Sequence, residues 1–226
     1  MNSRVRVLVL GVGGNVGQGI IKSLRKSVLP VHITAACLDD SAAGLYLADE
    51  YCLSPPAAAP EFPDWLASQC VSRSIQAVLS GAEPVIDKLS ALTANLERFT
   101  PARAIVSTPE VLKVSNDKQL TCEWLAKNGF NAPSSARATN SEAVETLVDR
   151  FGFDLIAKPA CGKGSQGIFQ IASKTDLEQC IKRDDYIIQE SVGSDEHEYT
   201  VATMSDREGN VQGVVAMKRL LRHGTS

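Results

Sequence analysis

The chain has 226 residues, 44% of them hydrophobic and 22% charged, with a formal net charge of −3. That is the make-up of a globular protein and excludes a disordered or collagen-like chain. Acidic and basic residues balance in both halves, so the electrostatic footprint of nucleic-acid binding is missing. The longest apolar runs, such as Val7 to Val12 and Gly213 to Met217, fall far short of the roughly 20 residues of a membrane span. A small-molecule partner is expected, with no nucleic acid and no membrane; self-association into a homo-oligomer is left open.

Met1 to Arg6 lead directly into a strand-like stretch, without the apolar core and small-residue cleavage site of a secretory signal, so a cytoplasmic location is expected. The six cysteines, Cys37, Cys52, Cys70, Cys122, Cys161 and Cys180, form no C-x-x-C pair and have no histidine nearby. They read as reduced, mostly buried thiols, with neither a disulfide framework nor a zinc site.

In chain order, strands are expected over 4–10, 32–38, 51–53, 75–80 and 103–107, and helices over 16–27, 41–48, 61–73 and 84–99. Alternation at this spacing predicts a Rossmann-like, doubly wound parallel sheet with helices on its faces, over residues 1–112. Thr108-Pro109 is a helix start, and from there the texture changes. Helices over 117–128 and 141–151 precede a strand at 154–158, a glycine loop at 162–167 and a second strand at 168–172. A helix over 175–183, announced by a Thr175-x-x-Glu178 capping box, leads to a strand at 186–189. Residues 113–226 therefore read as a second, α+β domain.

The first chemical candidate is Gly11-Val12-Gly13-Gly14-Asn15-Val16-Gly17-Gln18-Gly19, between the first strand and first helix. Such a loop turns the chain tightly and sets helix N–H groups toward an anion. Asp39 or Asp40 could supply the ribose acceptor of a dinucleotide site, but the spacing is one residue off G-x-G-x-x-G. A nicotinamide cofactor, another anion and a purely structural turn all stay open here.

The second cluster, Lys158-Pro159-Ala160-Cys161-Gly162-Lys163-Gly164-Ser165-Gln166-Gly167, does fit G-x-G-x-x-G. The following Ile168 to Ile171 reads as strand, so the loop is expected to be a hairpin that folds over polyphosphate, not a Rossmann or Walker turn. Lys158 closes the preceding strand, where its ammonium could reach phosphate or simply lie exposed. Lys118 opens a helix, a position the macrodipole disfavours for a cation unless an anion shares it; a solvated lysine is the alternative. The strand ending at Gln189-Glu190-Ser191-Val192 offers an apolar slot with main-chain hydrogen-bonding groups, and Glu198 a carboxylate acceptor, though a solvated turn explains the latter equally well. The three histidines are too scattered for a triad or metal cluster.

Read in order, Asn116-Asp117-Lys118, Gly129-Phe130-Asn131-Ala132-Pro133, Leu155-Ile156-Ala157-Lys158-Pro159 with its glycine hairpin, and Gln189-Glu190 followed by Glu198-Tyr199-Thr200 resemble the ATP-grasp superfamily. The branch they look most like is that of the carbamoyl-phosphate synthase large chain. The resemblance implies a pre-ATP-grasp domain (1–112) and part of an ATP-grasp domain (113–226). It implies an ATP-dependent ligase that forms an acyl phosphate, captured by an amine or other nucleophile, with small carboxylate and nucleophile substrates. By it, Lys118 and Lys158 hold the ATP phosphates, and Gly162, Gly164, Ser165, Gln166 and Gly167 form the lid. Gln189, Glu190, Ser191 and Val192 meet the adenine and Glu198 the ribose. Gly13, Gly14, Asn15 and Glu83 fall on the substrate side. Magnesium is expected for the full-length protein, but its Glu and Asn ligands would follow Arg222-His223-Gly224-Thr225-Ser226, so no metal ligand and no catalytic residue is assigned here, and turnover by this chain alone is not expected. An NAD(P)-dependent Rossmann oxidoreductase and a non-catalytic nucleotide-binding subunit are the alternatives.

Overall fold

The computed structural model describes residues 4–162 and 166–220, apart from the side chain of Asp195. The chain divides into two compact units, 1–112 and 113–226.

The first unit is a five-stranded, wholly parallel sheet of order β3-β2-β1-β4-β5. Its strands are β1 (Val5–Leu10), β2 (Val31–Cys37), β3 (Glu50–Leu53), β4 (Ala77–Ser80) and β5 (Arg103–Ala104). β1 is central, and its run of branched residues is buried on both faces because strand side chains alternate. Leu8 and Leu10 join Phe62 of α2 (Phe62–Ser72) and Leu89 of α3 (Glu83–Phe99) in one cluster. Val7 and Val9 join Ile21 of α1 (Asn15–Lys26), Ile33 and Leu45 in another, on the opposite face.

Two expectations shrink. The helix expected over 41–48 is a short 3-10 segment, Ala43–Leu47, in which Gly44 lies against Val12 with no room for a Cβ. The strand expected over 103–107 pairs only through Arg103 and Ala104.

The turn from β1 into α1 depends on two glycines for packing. Gly11 has φ +70, and a Cβ there would lie 2.7 Å from that of Ala82; a Cβ on Gly17 would meet the Gly11 carbonyl oxygen at 2.6 Å.

The helix α4 (Pro109–Asn116) carries the chain into the second unit, whose core is the antiparallel sheet β6-β9-β7-β8. These strands are β6 (Ser135–Arg137), β7 (Leu155–Pro159), β8 (Phe169–Ile171) and β9 (Tyr186–Glu190). Leu155, Ala157, Ile171 and Ile188 pack with Val144 and Leu147 of α6 (Ser141–Phe151) and Cys180 of α7 (Lys174–Cys180). Helix α7 starts earlier than expected. Ser173 is its N-cap, with Ser173 Oγ accepting from Asp176 N, while the Asp176 carboxylate accepts from the Ser173 hydroxyl and Ala172 N. The box is thus Ser173-x-x-Asp176, and Thr175-x-x-Glu178 lies inside the helix.

The sequence reading contains no strand beyond Gln189, whereas β10 (Tyr199–Ser205) and β11 (Val211–Lys218) form an antiparallel ribbon. Its turn is built by Asp206, whose carboxylate accepts from Glu208 N and Asn210 N, and by Gly209 at φ +86. Every residue of both strands is exposed. Among the described residues no helix is long and apolar enough to cross a membrane.

Glycine substitutions in α1 should therefore have opposite signs. Gly17→Ala forces a Cβ into backbone and should cost about 1–3 kcal/mol. Gly19→Ala meets nothing within 4 Å and should gain about 0.5–1 kcal/mol from helix propensity. Urea midpoints at unchanged m-value measure both; a neutral Gly17→Ala would refute the close approach.

Candidate functional site

Register places the first lysine. In the β7–β9 pair Ile156 lies opposite Gln189 and Lys158 opposite Ile187, so Lys158 and Gln189 share the face turned away from the Leu155–Ala157 core and are diagonal neighbours. Lys158 Nζ donates to Gln189 Oε1 at 2.6 Å, and Gln189 Nε2 donates to Cys122 Sγ at 3.3 Å. Gln189 itself is only 4% exposed. Its amide lies beneath the ammonium and orients it. Burial, and then the nearby charge of Lys118, hold Lys158 below the ordinary lysine pKa.

Helix α5 (Lys118–Lys127) brings the second lysine. Asp117 is its N-cap, with Oδ1 accepting from Gln119 N at 2.9 Å and Leu120 N at 3.1 Å, and its other carboxylate oxygen paired with Arg137 on β6. Lys118 N donates to Ala160 O at 2.9 Å, and Lys118 Nζ donates to Gly162 O at 3.0 Å. The start of α5 is thereby tied to the end of β7, and two cations converge with neutral oxygens as their acceptors. That arrangement suits an anion with several oxygens.

The glycine cluster is a hairpin: β7 and β8 pair antiparallel, with Ala157 opposite Phe169. Gly162 (φ +145) and Gly167 (φ +71) lie at its two ends, and a Cβ on Gly167 would come within 2.6 Å of the Tyr186 hydroxyl. Arg183 pins this end, lying 4.8 Å from the ring centroids of both Phe169 and Tyr186. Gln166 is exposed, while Lys163, Gly164 and Ser165 lie outside the described residues.

At the end of β9 the Glu190 carboxylate accepts from Ser134 N at 2.7 Å, and Glu190 N donates to Ser134 O, so this residue locks β9 to the chain entering β6. Ser191 N donates to Asp154 O, and Val192 is exposed. Glu198 accepts from Arg219 at 2.6 Å. Arg137, Arg183, Cys122 and Arg219 escaped the sequence reading; each acts through a residue distant in sequence, and the chain carried no local signal for them.

In the first unit, Gly13, Gly14 and Asn15 follow β1, and Glu83 opens α3 after β4. They share the carboxyl edge of adjacent strands, at the point where the strand order reverses, the usual ligand crevice of such sheets. Asp39 is engaged locally, its carboxylate accepting from Ser41 N at 2.8 Å. Among the described residues no group of three or more His, Cys, Asp or Glu side chains is placed to hold a metal ion.

Residues 7–106 match the family model of the PylC-like N-terminal domain, and residues 115–223 match that of the ATP-grasp domain. The chain is an ATP-grasp protein, with a PylC-like domain preceding the ATP-grasp domain. Its fold recurs in N5-carboxyaminoimidazole synthetase from Staphylococcus aureus complexed with ADP, at 13% identity and TM-score 0.70, over 98% of this chain and 56% of that one. It recurs in the biotin carboxylase domain dimer of Hydrogenobacter thermophilus 2-oxoglutarate carboxylase in complex with MgADP, ADP and bicarbonate, at 14% identity and TM-score 0.66, over 93% and 49%. L-amino acid ligase from Bacillus licheniformis matches at 13% identity and TM-score 0.62, over 95% and 52%. At these identities the likeness is one of fold, and the chain spans about half the length of these proteins.

The Asp117 cap supports a pH-dependent expectation. Burial works to raise its pKa, but the hydrogen bond from Arg137 and those from the helix N–H groups outweigh it and hold the carboxyl below its ordinary value. A lowered folded-state pKa gives stability that is present above the unfolded value near 4 and is lost as pH falls through the lower folded value. Asp117→Ala should thus cost about 1–2 kcal/mol at pH 7, and the gap from the parent should narrow below about pH 4. Urea unfolding across pH measures it; a gap constant with pH would refute the assignment.

Proposed function

We propose that this chain binds ATP and serves an ATP-dependent ligase reaction, with residues 1–112 as the substrate-side, pre-ATP-grasp domain and 113–226 as nucleotide-binding domain. In that reaction a carboxylate oxygen attacks the γ-phosphorus, the bond to the β,γ-bridging oxygen breaks, and ADP leaves. The amine or other nucleophile then attacks the acyl carbon and phosphate departs. Such transfer depends chiefly on positioning and charge neutralisation.

The observation that carries the reading is the convergence of Lys118 and Lys158 on neutral acceptors. Their ammoniums would hold α- or β-phosphate oxygens as point charges. The hairpin with Gly162, Gly164, Ser165, Gln166 and Gly167 would close over the phosphates. The main chain at Glu190, Ser191 and Val192 would meet the adenine edge, and Glu198 the ribose, while Gln189 would act through Lys158. The carboxylate substrate would approach Gly13, Gly14, Asn15 and Glu83. The dinucleotide alternative is not favoured, because the second unit matches an ATP-grasp domain. The compartment would be the cytoplasm, where six cysteines without disulfides would stay reduced. The dimer described for the biotin carboxylase domain makes a homo-oligomer the assembly to look for.

Lys158→Ala should weaken ATP affinity at least about tenfold, or 1.4 kcal/mol, without unfolding the protein, as measured by calorimetry with circular dichroism as the control. In thermal melts ATP at about 100 times its Kd should add about 2.7 kcal/mol of stability. Protection by NADH and none by ATP would refute the reading.

A further inference from the structure

The row of residues that crosses the second sheet through Lys158 contains another cation. Arg137 on β6 lies opposite Ile187 on β9, and Ile187 lies opposite Lys158 on β7. Residues paired in this way stand on one face of a sheet, so Arg137 and Lys158 share a face, about 10 Å apart at two strand spacings. What Arg137 holds is the carboxylate of Asp117.

Asp117 stands where the phosphate reading has least use for a negative charge. It immediately precedes Lys118, and three consecutive residues at the start of the glycine hairpin meet them both. The carbonyls of Ala160 and Gly162 accept from Lys118 Nζ, while Cys161 Sγ lies 4.0 Å from Asp117 Oδ2. A bare carboxylate at this point would offset part of the positive potential of the lysines and repel phosphate oxygens. The Asp117 side chain is only 15% exposed, so water screens it incompletely.

The helix uses the oxygen, not the charge. Oδ1 caps α5 by accepting from Gln119 N and Leu120 N, and an asparagine in its place would cap comparably well. The charge of Asp117 thus exceeds what the cap requires, and Arg137 is set against it. Burial works to raise the Asp117 pKa, and the hydrogen bond from Arg137 is the largest of the influences that lower it.

We propose that Arg137 is a positioning residue of the nucleotide site, which pairs with Asp117 to cancel the carboxylate beside Lys118 and so preserves the attraction of the two lysines for phosphate. Arg137 acts through Asp117 and need not touch the nucleotide. The inference rests on the reading of Lys118 and Lys158 as phosphate ligands. A mere strut between β6 and the start of α5 would share the same geometry, so the test must separate charge from tether.

ATP affinity of the whole chain is measured by calorimetry, with urea unfolding of each variant as the control. Arg137→Gln should bind ATP at least about fivefold more weakly at low salt, and the deficit should narrow to about twofold at 0.5 M KCl. Asp117→Asn keeps a capping side chain and removes the charge, so it should bind ATP at least about twofold more tightly than the parent. Added to Arg137→Gln, it should restore affinity to within about twofold of the parent. A strut behaves otherwise, because asparagine cannot renew the tie to β6 once Arg137 is gone. A double variant as weak as Arg137→Gln, an Arg137→Gln with unchanged affinity, or an Asp117→Asn that binds no more tightly than the parent overturns the proposal, provided Lys158→Ala still weakens binding. If Lys158→Ala is without effect, it is the phosphate reading of the lysines that fails. Should Arg137→Gln be too unstable to titrate, Asp117→Asn alone decides by the same criterion.

Discussion

The second unit is organised around two ammonium groups drawn to one place, where the end of β7 meets the start of α5. Bringing like charges together and partly burying one of them is unfavourable. The fold meets that cost with neutral dipoles: the carbonyls of Ala160 and Gly162 take Lys118, and the amide oxygen of Gln189 takes Lys158. Neutral acceptors orient a cation without neutralising it. A carboxylate in the position of Gln189 would pair with Lys158 and neutralise it. The polarity of one side chain on β9 thus decides whether Lys158 is ion-paired or keeps its charge uncompensated.

The parts around this cradle differ in how firmly they are held. Asp117 caps α5 and pairs with Arg137, so the helix start is tied to β6 as well as to β7. Arg183, stacked on Phe169 and Tyr186, braces one end of the glycine hairpin. The ribbon β10–β11 buries none of its residues, and its connection to Glu198 runs through the Arg219 pair. Two strands without a packed face have little local stability, so Glu198 rides on a weaker support than the lysines do.

What the chain made legible follows from where the physics is local. The burial of β1 on both faces is written in the apolar run Val7 to Leu10, and the hairpin in the strand-forming residues after Gly167. The need for glycine at position 44, in the 3-10 segment Ala43–Leu47, was not legible, because it comes from the approach of Val12, a contact between distant segments. The α7 cap was misplaced by two residues because an aspartate, not a glutamate, closes the box at Asp176. The ribbon escaped because both its faces are exposed, and without a buried face no two-residue alternation is imposed on the sequence. Lys118 and Lys158 could be named from their motifs. The chain from Lys158 through Gln189 to Cys122 could not, since it exists only once β7 and β9 pair in one register and α5 lies against them.

In the first unit the same separation of packing from chemistry falls within a single loop. Gly11 is demanded by its positive φ and the nearness of Ala82, and Gly17 by backbone contacts, so their presence says nothing about a ligand. At Gly14 a Cβ would meet only ordinary van der Waals contact with the Gly11 carbonyl, and at Gly13 the nearest atom is the Cys37 sulfur at 3.1 Å. Packing therefore explains Gly13 in part and leaves Gly14 unexplained, at the N-terminus of a helix with no side-chain cap and no acidic residue in its first turn. Asp39 Oδ1 accepts from Ser41 N, one of several bonds a carboxylate can accept, so what separates this loop from a purely structural turn is the helix N-terminus without a side-chain cap, whose main-chain N–H groups favour an anion of any kind.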